Sequence, residues 1–171
     1  MFTQVYFHKT RVAYDIHIRG ALKAMLPDGV FPKPVELGLS DYIPWDDWLV
    51  LGRLLNGDGG EHGERLCNRH HYRRVYETPE VCSGDDLERL EQAKHCMGTM
   101  LVAEEHAGKS WYKTGVTDIP VLSDTRDRKV QPLSKYSSVI ASIKSNNQVL
   151  LYAKPEDAEA AKAAIERAFP Q

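Results

Sequence analysis

Two short runs set cationic and aromatic side chains together as an anionic ligand would need: Val5-Tyr6-Phe7-His8-Lys9, and Arg69-His70-His71-Tyr72-Arg73-Arg74-Val75-Tyr76-Glu77-Thr78-Pro79. Tyr6 and Lys9 are three residues apart, so on a helix they lie on adjoining turns with His8 beside them. Arg69 and Arg73 are four apart and, on a helix, converge on one ligand. Arginine suits phosphate through its planar fork and lysine through its point charge, so the chemistry on offer is the holding of nucleotide phosphates. The plainer reading of the same residues is a solvated surface. Arg11, Asp15 and Arg19 have the spacing of an intrahelical charge ladder, and Arg73-Arg74 suits an exposed face.

Hydrolytic chemistry has weaker support. Glu61, His62, Cys67, His70 and His71 cluster in sequence, with Cys67 and His71 one helical turn apart. A structural zinc site needs four ligands and a catalytic one three at a recognisable spacing, so no metal ligand is expected here. The chain has no nucleophile elbow, Walker loop, C-x-x-C or G-x-G-x-x-G. Gly57-Asp58-Gly59-Gly60 follows a helical pattern and reads as its stop, whereas a phosphate cradle leads from a strand into a helix. Asp46-Asp47 and Glu104-Glu105 are sequence neighbours splayed about 100° apart on a helix, so they cannot form an acid/base pair. No catalytic residue is expected.

Those side chains need elements to position them. From Phe2 to about Met25 the pattern is helical and begins without a cap, as expected of a chain cut within a helix. Phe7, Tyr14, Ile18, Leu22 and Met25 form one apolar stripe, and Val5, Val12 and Ile16 a second. Two stripes call for two partners, hence packing between layers or against another subunit. After an extended connector, Asp41 introduces a second helix of about a dozen residues that ends at the Gly57–Gly60 loop. A third runs from about Glu61 through Arg69, and possible continuation reaches Tyr76. Ser83 and Asp86 mark the capping box of a fourth, with Leu87, Leu90, Met97 and Leu101 on one face and Gly108 closing it. Strand-like pieces follow at 110–113, 118–122, 130–133 and 149–153. An alanine-rich helix from about Glu156 to Phe169 then turns Ala161, Ala164, Ile165 and Ala168 toward the sheet. The expected fold is mainly α: a helical lobe over 1–108, then a small α+β lobe over 109–171, with short antiparallel strands and a terminal strand-helix unit.

Composition sets wide bounds. A chain of 171 residues can bury roughly two-thirds of its unfolded surface. Its net charge of −2 means that anion binding must come from local basic clusters. Cys67, Cys82 and Cys96 cannot all pair within the chain, and with no signal-like start they suggest reduced thiols in a cytoplasm. No apolar run reaches membrane-spanning length. A nucleic-acid-binding module using Asn68 to Tyr76 is one alternative, although a near-neutral chain suits it poorly. A scaffold or interface domain without a ligand is another.

Taken together, the Tyr6-Phe7-His8-Lys9 run, Arg69 and Arg73, Val75-Tyr76-Glu77-Thr78 and the 148–169 strand-helix unit resemble the C-terminal region of an HD-domain phosphohydrolase of the deoxynucleotide triphosphohydrolase type. Position by position, the resemblance implies that Tyr6 lines a substrate pocket. It implies that His8 and Lys9 contact nucleotide at a neighbouring regulatory site, that Arg69 meets an effector nucleotide with Arg73 the basic residue just beyond it, and that Lys9 and Arg69 lie close enough to engage one nucleotide or neighbouring phosphates. Phe7 stands where metazoan members carry glutamine. The sequence has no His-Asp dipeptide, so the metal-binding half is absent. The complete enzyme would use a divalent metal, Mg, Mn or Fe, and this chain's implied partners are the catalytic HD half, a nucleotide and further copies of itself. The purified chain is therefore expected to hydrolyse no deoxynucleoside triphosphate in magnesium or manganese. Turnover that co-purifies with it and vanishes in His70→Ala or His71→Ala would contradict this.

Overall fold

The computed structural model describes residues 2–31, 33–107, 118–122, 129–143 and 146–169. A π-helical turn, Phe2–Tyr6, precedes α1 (Lys9–Met25). Two single turns, α2 (Pro34–Leu37) and α3 (Leu39–Tyr42), lead to α4 (Asp47–Leu55) and α5 (Gly60–Cys67). Then come β1 (Arg73–Glu77), α6 (Gly84–Met97), β2 (Ala103–His106), β3 (Pro120–Leu122), β4 (Val130–Pro132), α7 (Ser138–Ala141), β5 (Val149–Ala153) and α8 (Ala158–Ala168). The architecture is mainly helical with small sheets and a closing strand-helix unit, as the sequence pattern indicates. Among the described residues no helix is long and apolar enough to cross a membrane.

Two compact units interleave along the chain. The first comprises residues 1–76, 92–105 and 150–171, the second 77–91 and 106–149. The boundary expected near Gly108, and the strand expected at 110–113, lie outside the described residues.

The first unit is organised around β5, which lies between β1 and β2. A central strand is covered on both faces, which is why Val149-Leu150-Leu151-Tyr152-Ala153 offers no polar position, and all five residues are buried. The Val102 N–H bonds the Tyr152 carbonyl at 3.0 Å. Tyr152 and Leu150 pack with Val12, Ala13 and Tyr72 in one cluster, flanked by Phe7 and Ile16. On α8 Ala161 and Ile165 are buried as expected, joined by Ala158, while Ala164 is half-buried and Ala168 is exposed.

In the second unit, Ser83 and Asp86 form the expected reciprocal cap: the Asp86 N–H reaches Ser83 Oγ at 3.2 Å and the Ser83 N–H reaches Asp86 Oδ2 at 2.8 Å. β3 and β4 pair antiparallel with Val121 opposite Gln131. The helix begun at that cap ends at Met97, a 3-10 turn follows, and Ala103–His106 is strand, so Leu101 is not on the helix.

Three further helix boundaries differ from the sequence reading. The first helix does not run unbroken from Phe2, because the chain is extended at His8, whose Nδ1 caps α1 by accepting the Thr10 N–H at 3.4 Å. The expected dozen-residue helix after Asp41 is split into α3 and α4, the latter capped by Asp46 Oδ1 on the Leu49 N–H at 2.9 Å. The third helix stops at Cys67. There the Arg69 N–H bonds the Leu66 carbonyl and the His70 N–H bonds the Arg65 carbonyl, the paired closure that ends a helix through a left-handed residue. Arg69 takes that conformation at φ +56°, a place that glycine usually fills.

The helices α1 and α5 pack closely because their facing residues are small. The stripe buried on α1 is Val12, Ala13, His17, Ala21 and Met25, while Ile18, assigned to an apolar stripe, is exposed. A Cβ on Gly20 would sit 2.5 Å from Cγ and 2.8 Å from Nε2 of the His62 ring. In an open helix Gly→Ala gains about 1 kcal/mol, but overpacking costs about 1–3 kcal/mol and would here displace an interacting ring. Gly20→Ala is therefore expected to lower unfolding free energy by about 1–2 kcal/mol, read from the urea midpoint at constant m-value.

Candidate functional site

A basic concavity of about 350 Å³ lies wholly within the first unit. The N-terminus of α1 supplies Lys9 and Thr10, the start of β1 supplies Arg73 and Arg74, and the first five residues of α8 supply Glu159 and Lys162. Two helix N-termini thus meet four cationic side chains at one cleft. Lys162 is already paired with Glu159 at 2.8 Å, and Lys9 forms no ion pair among the described residues. Lys9 is fixed through its backbone, since the buried Tyr152 hydroxyl donates to its carbonyl at 2.8 Å. Such a cleft favours an anion, because its lining carries more cationic side chains than carboxylates.

Of the residues singled out in the sequence, Lys9 and Arg73 come together here. Tyr6 lies outside the cleft on the π-helical turn, 57 % exposed, with the Arg11 guanidinium 5.7 Å from its ring centre. It is not on a turn of α1 adjoining Lys9, and His8 serves as the helix cap. Arg69 lies in the turn after α5, is exposed and does not line the cleft. Because α5 ends before it, Arg69 and Arg73 do not share a helix face. The same ending removes the one-turn relation between Cys67 and His71. Cys67 Sγ donates to the Leu54 carbonyl at 3.6 Å, and no group of three or more His, Cys, Asp or Glu side chains among the described residues could hold a metal.

His70 lines a separate hollow of about 200 Å³ with Glu61, Glu64, Arg65, Asn68 and Glu156. Arg65 lies 3.0 Å from Glu61 and 3.6 Å from Glu156, and its hydrogen bond is the first cause that holds the Glu61 carboxyl below the usual range.

The residue that sequence reasoning missed is His17. It is fully buried on α1. Its Nε2 accepts the Tyr72 backbone N–H at 3.1 Å and its Nδ1 lies 2.9 Å from Nδ1 of His62. Its ring stacks at a tilt on Tyr72 with centroids 4.2 Å apart, and the Arg65 guanidinium covers Tyr72 at 5.3 Å. The available signal was the run of four-residue steps Ala13, His17, Ala21, Met25, a buried stripe with an imidazole in it. Arg74, read in the sequence as an exposed-face residue, and Lys162, which nothing in its sequence context marks, complete the cleft.

No family model and no curated protein matches the chain. Among solved structures it is similar to a hypothetical protein from Aquifex aeolicus, with a TM-score of 0.76 and 23% identity over 96% of this chain. The chain spans 42% of that protein's length. At that identity the likeness shows a shared fold.

Burial first, and then the nearby His62, Arg65 and His71, lowers the His17 pKa from 6.5 to about 4, with Glu61 opposing. Unfolded, His17 takes up its proton near its ordinary value, while the folded protein resists until about pH 4. The unfolded state therefore binds more protons in between, so stability is full above about pH 6.5 and is lost as pH falls toward about 4, by about 3 kcal/mol. Urea unfolding at several pH values should show that loss in the native protein and a smaller one in His17→Gln. Equal losses in both would remove His17 as the cause.

Proposed function

We propose that this chain is the C-terminal, nucleotide-cradling part of an HD-superfamily phosphohydrolase acting on nucleoside triphosphates in the cytoplasm, completing a pocket whose metal ligands lie in a separate HD half. The observation that carries the proposal is the meeting of Lys9 and Arg73, from distant parts of the chain, in one cleft with Arg74 and Lys162. The chain's own part is to bind and orient a polyphosphate. Hydrolysis would be attack of water on phosphorus assisted by Mg, Mn or Fe in the other half, with no catalytic group from these residues. Arg69, outside the cleft, contributes nothing to this version of the site.

A partner surface goes with the proposal. Trp48 and Leu55 on α4 are 81% and 80% exposed, and Ile43 and Leu51 are exposed nearby. Apolar side chains in such number mark a surface that another protein covers, consistent with the HD half and with an oligomer.

Calorimetric titration of the purified chain with pyrophosphate and with a deoxynucleoside triphosphate tests the cleft. Charge-assisted contacts to phosphate contribute about 1.5–3 kcal/mol, so Lys9→Ala and Arg73→Ala should each weaken binding by roughly ten- to a hundredfold. Arg11→Ala, whose side chain bonds the Tyr6 carbonyl away from the cleft, should change it little. Equal effects of all three substitutions, or no binding by the native chain at millimolar ligand, would refute the proposal.

A further inference from the structure

We propose that His17 is a positioning residue for the basic cleft, holding Tyr72 by its backbone and, through Tyr72, setting the side chains of His71 and Arg73 on the cleft wall. This rests on the phosphate-binding role given to the cleft above.

The hydrogen bonds are continuous, and neutral imidazoles admit one proton assignment. Because Nε2 of His17 accepts the Tyr72 N–H, its own proton is on Nδ1 and is donated to Nδ1 of His62. His62 then carries its proton on Nε2. On the other side of the same residue, the Tyr72 carbonyl can only accept, so Nδ1 of His71, 2.8 Å away, must hold a proton. That leaves Nε2 of His71 as a lone pair, and Nη1 of Arg73 donates to it at 3.3 Å. The acceptor that steers the arginine exists in this tautomer of His71 alone, and the carbonyl that selects the tautomer belongs to the residue His17 pins.

Tyr72 precedes β1, so its N–H is not a strand group, and Tyr72 is buried where an unpaired donor is costly. The charged and titratable groups facing His17 offer no substitute acceptor. From α5, Arg65 is donor-only and is engaged by Glu61 and Glu156, Glu61 is engaged by Arg65, and His62 is occupied by His17 itself. From the segment before β1, His71 is turned to the Tyr72 carbonyl. Protonation of His17 would place its Nε2–H against the Tyr72 N–H, two donors face to face, and free residues 71–73.

Two variants separate positioning from packing. In His17→Gln the amide oxygen can take the Tyr72 N–H and cannot titrate; in His17→Leu there is no acceptor. Sulfate is the probe, because its charge is constant over the range used. At pH 7 the Gln variant should bind sulfate within about twofold of the native chain, and the Leu variant about tenfold more weakly. Imidazole ¹⁵N spectra should show His71 with its proton on Nδ1 in the native and Gln proteins, and a tautomer mixture in the Leu protein. Toward about pH 4 the native chain should lose more sulfate affinity than the Gln variant. An unchanged His71 tautomer in a folded Leu variant, or one pH profile shared by native and Gln proteins, would overturn the proposal. If the Leu variant does not fold, the native and Gln profiles decide. If the native chain binds no sulfate at pH 7, the phosphate-binding reading falls, and the His71 tautomers still decide whether His17 positions the segment.

Discussion

The bond from the Tyr72 N–H to Nε2 of His17 joins two requirements that are otherwise separate, the closure of the helix pair and the placement of the strand that feeds the cleft. A buried imidazole is an expensive device, since it must stay neutral and keep both nitrogens bonded. It fits here because α1 flanks it with Ala13 and Ala21 and because Gly20 leaves room for the His62 ring. A leucine at 17 would pack well and leave the Tyr72 donor unanswered. The helix interface therefore owes its small residues to the ring that stands among them, and Arg73 owes its place to the same ring.

The cleft illustrates how a chain of net charge −2 can present a strongly basic spot. Its charge is local, drawn from the N-terminal parts of two helices and one strand end, and the backbone beneath Lys9 is held by a hydroxyl inside the core. A fixed backbone that carries an exposed ammonium suits a ligand whose oxygens can be approached from several directions. Around the corner on α5, Arg65 sits among carboxylates and is fully engaged, so that arginine ties α5 to the segment after β5 and is not available to an anion.

Much of the fold was legible because the signals were local. Val149–Ala153 declared a strand, Ser83 and Asp86 declared a helix start, and Pro155 with the alanines after it declared the strand-helix unit. The end of α5 was not legible, because the left-handed residue that stops it is Arg69 and no glycine marks the place. That one boundary turned an apparent helix face, Arg69 with Arg73 and Cys67 with His71, into a turn and a strand. Of the candidate site, Lys9 and Arg73 could be read from residue type, whereas Lys162 comes to the cleft only through the fold, 89 residues beyond Arg73 in the chain. His17 was hidden for a different reason: a histidine between alanines gives no apolar signal, and its partner lies 55 residues further along.

The strand order β1-β5-β2 has a consequence for how the protein comes into being. The two outer strands are made first and do not pair with each other; the strand that unites them is made last among the described ones. Until residues 149–153 leave the ribosome, β1 and β2 have no ladder to join, and Tyr152 cannot anchor the start of α1, 143 residues earlier. Loop closure over such a span is slow compared with forming helices. Between the making of β1 and that of residues 149–153 the nascent chain therefore carries strand edges without their partner, the interval in which they are most open to pairing with another chain.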